Sequence, residues 1–338
     1  MKSLRVGRIN LRHSRFSLTL FVTAFCIMGN DAAAFDAEDL QRLKDTNSCV
    51  NCDLSEAMLS HQSLQEADLT GANLYRADLS FADLQRANFY YADLTEANLE
   101  DADLRKASFE ETNFKKANLS RADLRDTDLS LVIVNMEGAN LNGVALGGAN
   151  LRGANFTHAS FIDAKFINYE ATGYNGQFCC ADLTYTFLTG ANLKGANLRG
   201  IRMDYAWMDG ADMTNADLSN NNSDSVKFMN TILVGANLKR ITLTNASFRE
   251  ANLRNANLSE ASITGSSLSR ANLQNAILVD ANLTGSNFVH SNLAGADFTD
   301  ADLTGVDFTA ADLTNAIMRD VRLCNTIMPD KSVIYSGC

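Results

Sequence analysis

The sequence predicts an all-β solenoid whose chain turns four corners per coil, and three observations carry that reading. First, an apolar residue returns at every fifth position: Leu54, Leu59, Leu64, Leu69, Leu74, Leu79, Leu84, Phe89 and so on to Leu129, with Ala two positions ahead of most of them. A straight α-helix cannot use that spacing, because five steps of about 100° spread successive leucines around its axis. A straight strand fails as well, since an odd step alternates faces. The chain must therefore bend once per repeat, with Ala and Leu both pointing inward from a short extended side. Second, Phe228, Phe248, Phe288 and Phe308 stand twenty or forty residues apart, Leu268 fills the gap, and Phe89 and Phe109 are also twenty apart. Four repeats per turn would stack each set in one column, with aromatics on a roomier side and Leu on the others. Third, 46% of the 338 residues are hydrophobic and proline occurs once, at Pro329, so the chain can bury a long interior without ladder breakers.

The elements follow in chain order. Residues 1–34 carry a basic stretch (Lys2, Arg5, Arg8, Arg12, Arg15), an apolar run from Phe16 to Met28 and the small-residue site Ala32-Ala33-Ala34, the three parts of an export signal, so a mature chain is expected to begin at Phe35. The apolar run falls short of the roughly 20 residues a membrane span needs. Phe25 before Cys26 disfavours lipid attachment, and no Arg-Arg pair indicates the twin-arginine route. Residues 35–51 read as an N-terminal cap, in which a helix opening at Asp36 would lay Leu40 and Leu43 over the first coil. Residues 52–328 form the repeat region. Its register slips near 129–131, where Leu131, Met136 and Leu141 fall two residues out of phase with Leu129, and again near 167–178, where Tyr174-Asn175-Gly176 suggests a loop. Asn221 and Ser223 then occupy positions that should be apolar and inward. Residues 329–338 read as a C-terminal cap folding back after Pro329.

The formal net charge is −11, and removal of residues 1–34, which hold five basic residues and one acidic, leaves −15. Such a surface repels phosphates, so nucleic acid is excluded as a ligand and a basic protein is favoured. Six cysteines remain in the mature chain. Their even number in an oxidising compartment reads as disulfides, and proximity at the two ends suggests Cys49–Cys52 and Cys324–Cys338. Cys179 and Cys180 stay unassigned: a bridge between neighbours is strained, and pairing between two chains in a homodimer is equally open. A zinc reading of Cys49-x-x-Cys52 lacks a second ligand pair, with only His61 nearby, and a redox reading lacks a βαβ context.

No phosphate-binding glycine loop, nucleophile elbow or H-E-x-x-H pattern is present. The recurring Asp68, Asp78, Asp83, Asp93 and Asp103 precede the central apolar residue and are expected to face solvent, without the burial that separates acid from base. His61, His158 and His290 fall on outward or corner positions of different coils, so no metal site is expected, nor a cofactor. One surface feature departs from the repeat. Tyr185, Phe187, Tyr205 and Trp207 all occupy outward positions, each pair twenty apart, which places an aromatic cluster in two adjacent coils. It reads either as a partner surface or as rings bracing neighbouring coils.

Ala67-Asp68-Leu69-Thr70-Gly71, Ala72-Asn73-Leu74, Ala92-Asp93-Leu94 and Ala281-Asn282-Leu283-Thr284-Gly285 make the chain resemble the pentapeptide-repeat family across nearly its whole mature length. The resemblance implies a right-handed quadrilateral β-helix of about fourteen coils spaced ~4.8 Å apart. It also implies a non-enzymatic structural or protein-binding role. Some members resemble B-DNA in shape and charge and bind DNA gyrase, which is the alternative here; an export signal, leading to the periplasm, or to a thylakoid lumen if the source is photosynthetic, argues against that cytoplasmic partner.

Overall fold

A computed structural model describes residues 35–130, 134–167, 180–335 and 337–338. The expected export signal, Leu131, the Tyr174-Asn175-Gly176 turn and Cys179 lie outside the described residues. The chain is a right-handed quadrilateral β-helix. Parallel bridges join most residues before a central apolar position to a counterpart one coil on, twenty residues away outside the two register slips, from Ser48↔Asp68 through Asp307↔Ile327. The sides are too short to count as strands in most coils. Three consecutive coils reach strand length on one side, β1 (Asn222–Asp224), β2 (Thr242–Thr244) and β3 (Ser262–Thr264), paired in parallel.

The repeat is explained by where its five amide hydrogens go. In Ala67–Gly71, Ala67 N–H closes the preceding corner on Leu64 O (3.1 Å), Asp68 N–H reaches back one coil to Asn47 O (3.1 Å), and Leu69 and Gly71 donate forward to Asn88 O (2.8 Å) and Tyr90 O (2.7 Å). That leaves Thr70 N–H without a backbone acceptor, and the Asp68 side chain supplies one, Oδ1 at 3.1 Å. Only a short side chain with an oxygen acceptor reaches that amide, so Asp or Asn recurs there. The same oxygen accepts from the next coil in several columns, as from Asn98 Nδ2 onto Asp78 Oδ1 (3.0 Å). The solvent-facing expectation for these aspartates is corrected accordingly: they are half-buried acceptors that complete the backbone accounting. Each repeat ends on a residue of positive φ, for example Gly71 (64°) and Arg76 (55°), which turns the chain to the next side.

Inside, Ala and the central Leu, Phe or Met are buried along the solenoid, each large side chain contributing about 1.5–3 kcal/mol relative to exposure. Phe89 stacks on Phe109 (5.5 Å) and Phe228 on Phe248 (4.7 Å), and Phe288 lies tilted against Phe308 (5.3 Å), each pair one coil apart. Aromatics are not confined to one roomy side, however. Phe109 and Phe114 meet edge to face across a corner, and Phe298 and Phe308 do so between opposite sides, so the sides share the volume.

The register slips are insertions that leave the ladder intact. Across the first, Asn113↔Asn135 and Asn118↔Asn140 pair twenty-two apart. Across the second, Asn150↔Asp182 and Asn155↔Phe187 pair thirty-two apart, and an antiparallel bridge joins Ile167 to Cys180. The fault at Asn221–Ser223 is of another kind, because both side chains are buried in the interior. Ser223 Oγ accepts Met203 N–H (3.0 Å), and among the described residues no bridge joins Arg202 to Asn222.

Both ends are covered. The N-terminal helix α1 (Ala37–Thr46) is capped by Asp36, whose side chain accepts Glu38 N–H, and by left-handed Asn47. Leu43 is buried and Leu40 packs partly against the core. At the other end β4 (Thr326–Ile327) pairs antiparallel with β5 (Val333–Ile334), and Arg322 Nε donates to Gly337 O (3.1 Å). This return covers one side, leaving Leu313, Met318, Val321 and Leu323 of the last coil only half-buried. Among the described residues, no helix is long and apolar enough to cross a membrane.

Candidate protein-binding surface

The four outward aromatics come together at one corner of two adjacent coils. Tyr185 and Tyr205 are corner residues with φ of 59° and 58°, while Phe187 and Trp207 stand at the bridging position that elsewhere holds Asp or Asn. A phenyl or indole ring cannot accept the spare amide hydrogen. In the following coil, where Asn222 and Lys227 hold the bridging positions, carboxylates one coil back cap the spare amides: Asp204 Oδ1 takes Asp224 N–H and Asp209 Oδ1 takes Met229 N–H, both at 2.8 Å.

Tyr185 stacks on Tyr205 with centroids 5.0 Å apart and planes within 8°, and Phe187 lies 5.8 Å from Trp207. A cation ends each stack, with Lys227 Nζ 4.0 Å from the Trp207 ring centre and the Arg152 guanidinium 5.9 Å from that of Tyr185. Tyr205 Oη donates to Asp224 Oδ2 (3.3 Å), and the charge of that carboxylate, then the hydrogen bond, hold the phenol above its usual range. Stacking covers one face of each ring; the four side chains remain 41–49% exposed.

Sequence reading missed two further exposed ring pairs at opposite corners. His61 stacks on Phe81 (4.8 Å), and Tyr90 meets Tyr91 edge-on (4.2 Å); hydrogen bonding with Tyr90, then hydrogen bonding with and the charge of Glu111, raise the Tyr91 phenol above its usual range. The twenty-residue spacing of His61 and Phe81 was the signal that could have found the stack. His158 and His290 are exposed corners of separate coils.

The structure joins Cys49 to Cys52 (Cα–Cα 5.3 Å) and Cys324 to Cys338 (4.8 Å), and Cys180 is also disulfide-bonded. The acidic neighbour of the first pair is Asp39 rather than His61: its carboxylate oxygen and the two sulfurs lie within 4.8 Å of one another.

The repeat pattern matches the family model for pentapeptide repeats in eight copies, over residues 52–89, 92–130, 135–168, 181–220, 196–235, 231–270, 266–305 and 291–328. The chain belongs to the pentapeptide-repeat family. Among solved structures it is similar to HetL of the cyanobacterium Nostoc sp. strain PCC 7120, a pentapeptide-repeat protein involved in heterocyst differentiation regulation, at 27% identity over 89% of this chain and 99% of that one, with a TM-score of 0.25. A pentapeptide-repeat protein from the Arabidopsis thaliana thylakoid lumen matches at 32% identity over 36% of this chain and 89% of its own, with a TM-score of 0.16. QnrB1, a plasmid-mediated fluoroquinolone resistance protein, matches at 18% identity over 64% and 87%, with a TM-score of 0.32. No curated protein sequence matches the chain.

Proposed function

We propose that this pentapeptide-repeat chain is an exported, non-enzymatic binding solenoid whose partner, a basic protein, docks on the corner formed by Tyr185, Phe187, Tyr205 and Trp207. The observation that carries the reading is the substitution of the bridging Asp or Asn by Phe187 and Trp207, whose rings stay exposed beside Tyr185 and Tyr205. Bracing alone does not require large rings that stay 41–49% exposed. Large aromatics supply much of the energy of protein interfaces. Asp204, Asp209 and Asp224 flank the corner on a chain of net charge −11, which favours basic side chains opposite.

A non-enzymatic role is supported by the state of the carboxylates. Burial works to raise Asp103, but the hydrogen bonds and charge of Arg105 outweigh it and hold the group below its usual range; the Thr299 hydroxyl and amide do the same to Asp297. A carboxylate fixed in its ionised form by the backbone it supports has little use as a general acid or base.

The test is the pair Tyr205→Asn and Trp207→Thr, which restore residue types common at outward positions. Parent and variant are compared for thermal unfolding and for capture of partners from the exported fraction. Capture lost with the unfolding temperature kept supports the binding corner. A large stability loss indicates bracing, and unchanged capture removes the site. N-terminal sequencing of the exported material should begin at Phe35; a full-length cytoplasmic chain would instead favour the gyrase-binding alternative.

A further inference from the structure

The N-terminal cap holds a second chemistry, independent of the aromatic corner. Cys49 and Cys52 fall on the repeat register, Cys49 in the slot of a central Leu and Cys52 in the slot of the following Ala, and both are buried, at 0% and 2% exposure. Cys52 N–H closes the corner on Cys49 O (3.4 Å), so the pair bridges one turn of the first coil directly beneath α1. The helix places two polar groups on the sulfurs. Arg42 Nη2 stands 2.6 Å from Cys52 Sγ, and the Asp39 carbonyl oxygen stands 3.1 Å from Cys49 Sγ.

A disulfide makes poor use of either neighbour. Its sulfurs carry no proton to donate to a carbonyl, and they are weak acceptors for a guanidinium. The reduced pair would use both: Cys49 as a thiol donating to Asp39 O, and Cys52 as a thiolate paired with Arg42. Asp39 also aims that guanidinium, since its Oδ1 accepts from the same Nη2 (2.8 Å) while its Oδ2 accepts Asp53 N–H (2.8 Å). The surroundings are therefore complementary to the dithiol state.

We infer that Cys49–Cys52 is a site of thiol–disulfide exchange with a dithiol, in which Cys52 is the stabilised leaving thiolate. A thiolate of the dithiol attacks Cys49 Sγ, a mixed disulfide forms, and the Cys49–Cys52 bond breaks with its electron pair on Cys52 beside Arg42. The second thiol of the reagent, losing its proton, then displaces Cys49, which takes up a proton and donates it in a hydrogen bond to Asp39 O. The protein gains two electrons and the dithiol leaves as a disulfide. A lower basicity of the leaving thiol favours both the rate and the extent of reduction. Access comes from lifting α1, ten residues held to the first coil by Leu43 and by the two bonds to Asp53, a smaller unit than the stacked coils beyond it. The sequence alone argued against redox use for want of a βαβ context; the guanidinium supplied by α1 takes the place of that context.

The mature chain is equilibrated in mixtures of reduced and oxidised dithiothreitol at pH 7, quenched by alkylation, and each cysteine pair is read by peptide mass. Arg42→Met should lower the equilibrium constant for reduction of Cys49–Cys52 by about fourfold or more, with Arg42→Lys recovering part of the loss. Cys324–Cys338, which has no cation on its sulfurs among the described contacts, should keep its constant in both variants and serves as the internal reference. A constant for Cys49–Cys52 that is unchanged within twofold in Arg42→Met overturns the inference. So does a pair that stays oxidised until the whole chain is denatured.

Discussion

Asn221 offers the sharpest test of how the interior is organised. Its side chain is 1% exposed, in the column that holds Ile201 one coil before and Ile241 one coil after, and its Oδ1 has no hydrogen-bond partner. The amide nitrogen finds only Met203 Sδ at 3.9 Å. An unsatisfied buried acceptor costs about 1–3 kcal/mol, and replacing the amide by branched methyls adds roughly 1 kcal/mol of transfer. Asn221→Val is therefore expected to stabilise the surrounding coils by about 2 kcal/mol, after allowance for imperfect filling of the site. Because a solenoid opens locally, the assay is native-state hydrogen exchange at Leu243 and Met203, whose amides should slow by about thirtyfold, the factor corresponding to 2 kcal/mol. Ser223→Ala is the opposing control, since it removes the oxygen that accepts Met203 N–H at 3.0 Å and should cost about 1 kcal/mol. Exchange that is unchanged or faster in Asn221→Val would refute the reasoning, and would mean that the amide is satisfied in solution.

Asp93→Ala removes the acceptor of Thr95 N–H (3.0 Å), Thr95 Oγ1 (2.5 Å) and Asn113 Nδ2 (3.3 Å), and is expected to cost about 2 kcal/mol, whereas Asp93→Asn keeps an oxygen there and should cost less than about 0.5 kcal/mol; denaturant titration separates the two. Asp297 and Asp312 are held below the ordinary carboxyl value of 3.8 by the side chains and amides of Thr299 and Thr314. A depressed folded-state value contributes stability above 3.8 that is lost as pH falls through the folded values. The unfolding temperature should therefore hold from neutral pH to about pH 4 and decline below it. Cys324→Ser opens a link between residues 14 apart and should cost the C-terminal return about 2–3 kcal/mol, visible as faster exchange at Ile327 with the central coils unchanged.

The fold was legible because its cause is periodic. Leu and Ala at fixed offsets state the inward face, and Phe89–Phe109 and Phe228–Phe248 state the coil length, so the stacking partners could be named before any coordinates. The role of Asp68 and its equivalents was not legible. A residue that always precedes Leu looks like surface filler until the five amide hydrogens of a repeat are assigned and one is left over. The cap was half legible. The spacing of Leu40 and Leu43 indicated a helix, but which of its polar side chains meet Cys52 depends on how α1 crosses the first coil, a docking geometry that the repeat pattern does not encode. The slips show the same division: a phase change of two is visible in Leu129 and Met136, yet the bridge between Ile167 and Cys180 could not be named from the repeat.

The aromatic corner and the fault at Asn221–Ser223 occupy consecutive coils, and their hydrogen bonds connect them. Asp224, which follows Ser223, accepts from the Tyr205 hydroxyl and gives its own amide hydrogen to Asp204. Met203, two residues before Tyr205, gives its amide to Ser223 rather than to a regular ladder partner. A side built from the ordinary repeat would put Leu and Asp at these positions and would pair Arg202 with Asn222. Here side-chain oxygens of Ser223 and Asp204 supplement the backbone bonds, such as Tyr205 N–H to Asp224 O (2.9 Å), that tie this coil to its successor, and these side-chain contacts can be removed singly. Repairing the interior with Asn221→Val should thus leave the rings in place, whereas Asp224→Ala should free the Tyr205 hydroxyl and return that phenol towards its usual range, since the charge of Asp224 is the leading cause of its shift. Absorbance titration of the tyrosines in the parent and in Asp224→Ala reads the effect directly. Coincident titration curves would show that the corner and the fault are mechanically separate.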